Sequence, residues 1–186
     1  VFGSDAGFPA VMQLSDLDGN NGFRLDGVME DDQFGRAVSG AGDVNGDGFD
    51  DLVIGAPFAD TNGETSGAGY LLFGKASGFD ATIDVALLDG ADGFRLNGVA
   101  AGDQLGSSVS GAGDINFDGY DDIILGAPEA DPNGGLSGSS YVYFGAGLPG
   151  ILVEGGVEDD TLEGTRGEDT LMGAEGNDHL TGSFGN

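Results

Sequence analysis

The chain has 186 residues, 33 of them acidic and 5 basic, for a formal net charge of −28 at pH 7. Phosphates and anionic membrane surfaces are held by Lys and Arg, so this balance argues against both as partners and favours cations. No apolar stretch approaches the length of a membrane span, so neither nucleic-acid binding nor membrane insertion is expected. The absence of Cys removes disulfides and thiolate metal sites, and leaves a bound metal as the available staple for a secreted chain.

The N-terminal "VFGSDAGF" (1–8) leads into "DLDGNNG" (16–22). The latter suits either an ion loop or a plain turn; its twin "LLDGADG" (87–93) loses the first Asp, which favours the turn. "FRLDG" then alternates as a half-exposed strand, and "RAVSGAGD" is a strand of very small residues, suited to a place where backbones crowd. After the acidic "DVNGDGFDD" (43–51) come "DLVIGA" and "GYLLFG". These apolar, β-branched and aromatic runs, bounded by Gly and Pro, predict buried strands.

The same series then returns. "DVNGDGFDD" recurs as "DINFDGYDD" (114–122), "GFRLDGV" (22–28) as "GFRLNGV" (93–99), and "VIGAPFAD" (53–60) as "ILGAPEAD" (124–131). "VFGSDAGF" itself recurs as "LFGKASGF" (72–79), and one shift of 71 residues relates all four pairs without insertion. Four short strands per unit, in tandem, match a propeller blade, and no segment sustains a helical period with caps.

In the acidic loop, alternate residues of a tight turn point inward together. Asp43, Asn45, Asp47, the Phe49 carbonyl and Asp51 then form an oxygen cage, repeated by Asp114, Asn116, Asp118, the Tyr120 carbonyl and Asp122. An all-oxygen, flexible donor set suits Ca²⁺. Zn²⁺ would want His or Cys, and Mg²⁺ a stricter octahedron. Gly48 and Gly119 sit where the chain turns sharply. Phe117 replaces Gly46 at a position whose side chain should face away, and Asp50 and Asp121 fall on the solvent-facing parity. No Glu follows at position 12 and a strand follows the loop, so this is not an EF-hand. Three crowded carboxylates would repel by roughly 10 kcal/mol before screening, comparable to a domain's whole stability.

Phe34-Gly35, the acidic loop and Gly55-Ala56-Pro57 together resemble the FG-GAP repeat of integrin-α-type β-propellers. The second copy keeps Gly126-Ala127-Pro128 but has Leu105-Gly106 in place of Phe-Gly. The resemblance implies an all-β fold. Residues 1–148 would form two blades plus the outer strand of a preceding one, with structural Ca²⁺ at one rim. Two blades cannot close a ring, so further blades are expected upstream. The chain also starts at Val1 without a leader-like run, which suggests a piece of a longer polypeptide.

From Gly155 the chain runs in nines: "GGVEDDTLE", "GTRGEDTLM", "GAEGNDHLT" and "GSFGN". This resembles the RTX calcium-binding nonapeptide. The resemblance implies that residues 149–186 begin a parallel β-roll, with Leu162, Leu171 and Leu180 inside. Asp160 would stack over Asp178 as one Ca²⁺ site. It also implies a bacterial protein exported by type I secretion.

His179 is the only histidine and sits at a variable position of that repeat, so no Ser/His/Asp set can be assembled and no catalytic residue is assigned. The reading is a non-enzymatic, calcium-stabilised extracellular module for adhesion to cell-surface or matrix proteins or glycans. The alternatives are an accessory region of a large secreted hydrolase and a structural spacer.

Overall fold

The structure is a computed structural model that describes residues 2, 3, 7 and 9–147, and, further on, 152–154, 158, 161–163, 170–172, 177 and 179–181. The described residues form an all-β chain with no α-helix. Strand β1 (Arg24–Asp26) precedes β2 (Ala37–Gly42), β3 (Asp51–Ala56) and β4 (Ala68–Leu72). After β5 (Thr82–Asp84) and β6 (Gly93–Asn97), the series repeats as β7 (Ser108–Gly113), β8 (Asp122–Ala127) and β9 (Ser139–Tyr143). β2, β3, β4 and β6 make one antiparallel sheet in that order, and β7, β8 and β9 a second. Every strand of the second sheet lies 71 residues after its twin in the first.

Residue chemistry explains the elements. β3 and β4 are buried on both faces except at Leu52, as expected of continuous apolar runs. β1 and β6 alternate. The glycine-rich β2 and β7 each end in a register shift, at Gly42 and Gly113, where a positive φ of 76° and 66° makes a bulge that aims the chain into the acidic loop. Small residues let these two strands approach: a Cβ on Gly111 would press on the backbone of Gly40 and Ala41.

One core lies between the sheets. Val44, Val53, Leu71 and Phe73 of the first meet Leu105, Ile123, Leu125 and Ala127 of the second. Each such fully buried aliphatic contributes about 1.5–3 kcal/mol. The other face of the first sheet (Ile54, Ala56, Tyr70) is covered by Leu25, Phe34, Val85 and Leu88. The backbones also touch. Gly55 is seated under the Gly106 carbonyl, and Leu105 N–H donates to Ser66 O at 3.0 Å. We expect Gly55→Ala to cost about 2 kcal/mol, because a rigid carbonyl must move. Gly126→Ala should cost under about 1 kcal/mol, because the added Cβ there meets only the Ser108 hydroxyl, the end of a side chain that can rotate away. Urea unfolding of the two variants checks this contrast.

Three features depart from the sequence expectations. β1 pairs in parallel with β5, a strand not anticipated, in the register Arg24↔Thr82. Two three-residue 3-10 turns, Leu14–Asp16 and Val85–Leu87, also stand 71 residues apart. In the C-terminal segment, three-residue strands start every nine residues: β10 (Leu152–Glu154), β11 (Thr161–Glu163), β12 (Thr170–Met172) and β13 (His179–Thr181). They pair in parallel with partners eighteen residues on, β10 with β12 and β11 with β13. Leu180, expected inside, is exposed. Asp160 and Asp178 lie outside the described residues, as do the side chains of Leu162 and Leu171. His179 is exposed, as its position predicts.

Candidate metal centre

The acidic loops span the gap between β2 and β3, and between β7 and β8. Both are built by their own carboxylates. Asp43 accepts N–H bonds from Asp47 (2.9 Å) and Gly48 (2.8 Å), one on each oxygen. The Asn45 side-chain oxygen accepts from the same Asp47 N–H at 3.0 Å, so the Asp43 and Asn45 oxygens converge. Asp47 Oδ1 accepts from Phe49 N–H (2.9 Å) and its Oδ2 from Asn45 Nδ2 (3.2 Å). Asp51 closes the loop: Oδ2 accepts from Val44 N–H (2.9 Å), and Oδ1 reaches Gly74 N–H beyond β4 (2.8 Å).

The second loop repeats this bond for bond. Asp114 takes the N–H groups of Asp118 and Gly119; Asn116 shares the Asp118 N–H and donates to Asp118 Oδ2. Asp118 takes Tyr120 N–H, and Asp122 takes Ile115 and Gly145. Gly48 and Gly119 hold φ of 84° and 94°, the left-handed turn that glycine supplies. Phe117 does face away, at 90% exposed. In "DLDGNNG", Asp18 accepts from Asn20 and Asn21 N–H, as a turn would require.

The two loops differ in cover. Asn45, Asp47 and Asp51 are buried, whereas in the second loop only Asp122 among the corresponding acids and amide is. The second loop lies over the first: a side chain at Gly46 would run into the Tyr120 ring, and Ala146 N–H donates to Val44 O at 3.0 Å. Asp121 corrects an expectation. It is half-buried, its Oδ2 caps the Asp43 N–H at 2.9 Å, and its own N–H donates to Asp43 O at 3.1 Å. Asp50, its twin, is exposed.

Burial pushes the Asp51 carboxyl up to about 6 despite the Gly74 and Val44 N–H bonds, and the charges of Asp47 and Asp43 push it further the same way. Negative charge is thus concentrated around a wholly buried group. The donor set is all oxygen, and a carboxylate holding two N–H donors keeps lone pairs for a cation. The residues fit a hard cation such as Ca²⁺ on these grounds. In this conformation the carboxylates are aligned on the loop's N–H groups. Among the described residues no three His, Cys, Asp or Glu side chains close on one centre.

Asp51 also sets a pH dependence. Its folded value lies above the ordinary 3.8, so protonation favours the fold. That stabilisation is complete below 3.8 and is lost as pH rises through about 6. In chelator, melts should rise on acidification, by about 3 kcal/mol from this group, and Asp51→Asn should flatten the slope. A cation held by the ionised carboxylate would reverse the sign of this dependence.

The FG-GAP repeat family matches residues 34–72 and 105–143, the two sheet-and-loop units. The chain carries two FG-GAP repeats. The RTX calcium-binding nonapeptide repeat (4 copies) matches residues 154–186, the region of the nine-residue steps. Among similar proteins is integrin alpha-6 of Gallus gallus, 36% identical over 105 residues, which are 56% of this chain and 8% of that protein. Integrin alpha-4 of Xenopus laevis is 32% identical over 123 residues, 66% of this chain and 11% of that protein. Integrin alpha-IIb of Mus musculus is 35% identical over 127 residues, again 66% and 11%. The chain thus spans about a tenth of the length of these relatives. Each FG-GAP match starts at Phe34 or Leu105 and ends with the strand β4 or β9, so each acidic loop lies inside a repeat.

Proposed function

We propose that this chain is part of a calcium-stabilised extracellular β-propeller, with residues 1–148 as two FG-GAP blades and residues 149–186 as the start of a parallel β-roll. The observation that carries it is the pair of acidic loops that match bond for bond inside two FG-GAP repeats. Asp43, Asn45, Asp47 and Asp51 would hold one ion, and Asp114, Asn116, Asp118 and Asp122 another, with the Phe49 and Tyr120 carbonyls completing each set. Asp160 and Asp178 would supply the β-roll site. The ion neutralises the crowded carboxylates and locks β2 to β3 and β7 to β8. Asp51 and Asp122 carry that rigidity to the ends of β4 and β9 through Gly74 and Gly145.

The integrin-like repeats support adhesion to surface or matrix proteins or glycans. The RTX repeat supports export from a bacterial cell by type I secretion, with calcium met outside. No catalytic step is assigned to this chain. No helix of the described residues is long and apolar enough to cross a membrane.

The test is binding of the chain to arrays of matrix proteins and glycans, in calcium and in chelator. Calcium-dependent capture of a defined class is the expected result. Calcium binding without capture would leave a spacer, and capture indifferent to calcium would contradict the reading. Asp47→Ala and Asp118→Ala should each lower the melting temperature more in calcium than in chelator, where only the loop's own N–H bonds are lost.

A further inference from the structure

The two acidic loops touch, and the contact runs one way. Asp121 of the second loop bonds Asp43 of the first twice. Its Oδ2 accepts the Asp43 N–H at 2.9 Å, and its own N–H donates to the Asp43 carbonyl at 3.1 Å. Gly42 leaves the room for this, since a Cβ there would overlap the Asp121 carboxylate. Beside it, the Tyr120 ring takes the space over Gly46. The second loop lacks all three features. Asp50, the twin of Asp121, is exposed. A Cβ on Gly113, the twin of Gly42, would meet nothing within 4 Å. Phe117 stands 90% exposed where Gly46 is covered. A further bridge, from Ala146 N–H to Val44 O at 3.0 Å, joins the loops through backbone alone and holds them in register.

The place of these residues in the chain gives the contact its consequence. Asp43 is the first donor of the first cage. Asp121 lies between Tyr120, whose carbonyl the second cage would use, and Asp122, which closes that cage. A residue with a donor of one cage on either side of it thus clamps a donor of the other. We propose, on the proposed reading of the loops as calcium cages, that Asp121 couples them, so that calcium in the first loop raises the affinity of the second and the reverse. An ion in the first loop fixes Asp43. The paired bonds then fix the backbone of Asp121, and Tyr120 and Asp122 are held where the second ion needs them. The cost of ordering that segment is met once and not twice, which makes the coupling positive. Linkage makes it mutual. Charge acts in the opposite sense, because an ion in the first loop weakens the negative potential at the second. Salt screens that effect and leaves the hydrogen bonds in place, so the coupling should grow as salt is raised.

Calorimetric titration of Ca²⁺ tests the coupling. The covered first cage fills first, so the effect is read at the second, weaker site. Asp47→Ala, which removes the first site, should weaken the second about tenfold relative to the parent. Asp121→Ala should weaken the second site by itself, and adding Asp47→Ala to it should then change that site less than about twofold. Asp121→Asn keeps an acceptor oxygen and the backbone N–H, so it should keep the tenfold response, which separates position from charge. Asp50→Ala, at the exposed twin, should also keep it. Asp47→Asn, which retains an acceptor for the Phe49 N–H, is the substitute if Asp47→Ala fails to fold. A merely structural role for Asp121 would lower the melting temperature and leave the response in place. A second site indifferent to loss of the first, or an Asp121→Ala chain that keeps the tenfold response, would overturn the coupling and leave the cages standing. A parent that takes up no calcium would overturn the proposed function and the coupling with it.

Discussion

Asp51→Ala is expected to lose about 3 kcal/mol of folding stability in calcium, and Asp122→Ala nearly as much. Both carboxylates are wholly buried, and each holds two backbone N–H groups. Truncation leaves the N–H groups of Val44 and Gly74, or of Ile115 and Gly145, without their acceptor. An unsatisfied buried donor costs about 1–3 kcal/mol. Removing the desolvated charge of Asp51, and its repulsion with Asp47 and Asp43, offsets part of this, so the loss should be smaller in chelator. Asp51→Asn keeps one acceptor oxygen and should lose about half as much. Asp50→Ala, one residue away and exposed, should stay within about 0.5 kcal/mol of the parent. Denaturant unfolding of the four proteins checks the series. Equal losses at Asp50 and Asp51 would mean that general charge relief, and not these bonds, sets stability.

Calcium withdrawal should have the second large effect. A ligand that binds only the folded state adds about 4 kcal/mol per site when its free concentration is roughly 1,000 times Kd. For a chain of this size that moves the melting temperature on the order of 10 °C per site. The two loops should not contribute equally. The first lies under Tyr120, with Asn45, Asp47 and Asp51 buried, so less water would compete for an ion held there. The second lacks such a cover and should bind more weakly. Melts across a calcium series should therefore rise in two steps, and Asp118→Ala should remove the later one. A single step unaffected by Asp118→Ala would contradict this ordering.

Much of this was legible in the residues because the informative signals are local and repeated. The 71-residue shift placed both sheets, and the β-branched runs at β3 and β8 marked their central strands. Glycine at 48 and 119 marked turns that do adopt positive φ, and Phe117 was correctly turned outward. What could not be read was set by contacts far along the chain. Asp121 has the parity of a solvent-facing residue, and only the packing of one sheet on the other brings it to the Asp43 N–H, 78 residues away. The same packing buries the first loop and exposes the second, although their sequences nearly match. β5 is three residues long with no period of its own, so its pairing with β1 had no local signal. The spacing of the acidic loop presents charges awaiting an ion. Its carboxylates also serve as the acceptors that fold the loop's own backbone, a role that spacing alone does not separate from coordination.

The central claim is that the acidic loops are calcium cages, and calorimetric titration of Ca²⁺ tests it most directly on the parent, Asp47→Ala, Asp118→Ala and the double variant. The account predicts two loop sites of unequal affinity in the parent, with at most one more from the Asp160 and Asp178 repeat. Asp47→Ala should lack the tighter site, Asp118→Ala the weaker, and the double variant both. A parent without binding heat, or a double variant with the parent's stoichiometry, would contradict it and leave both loops as hydrogen-bonded acidic turns.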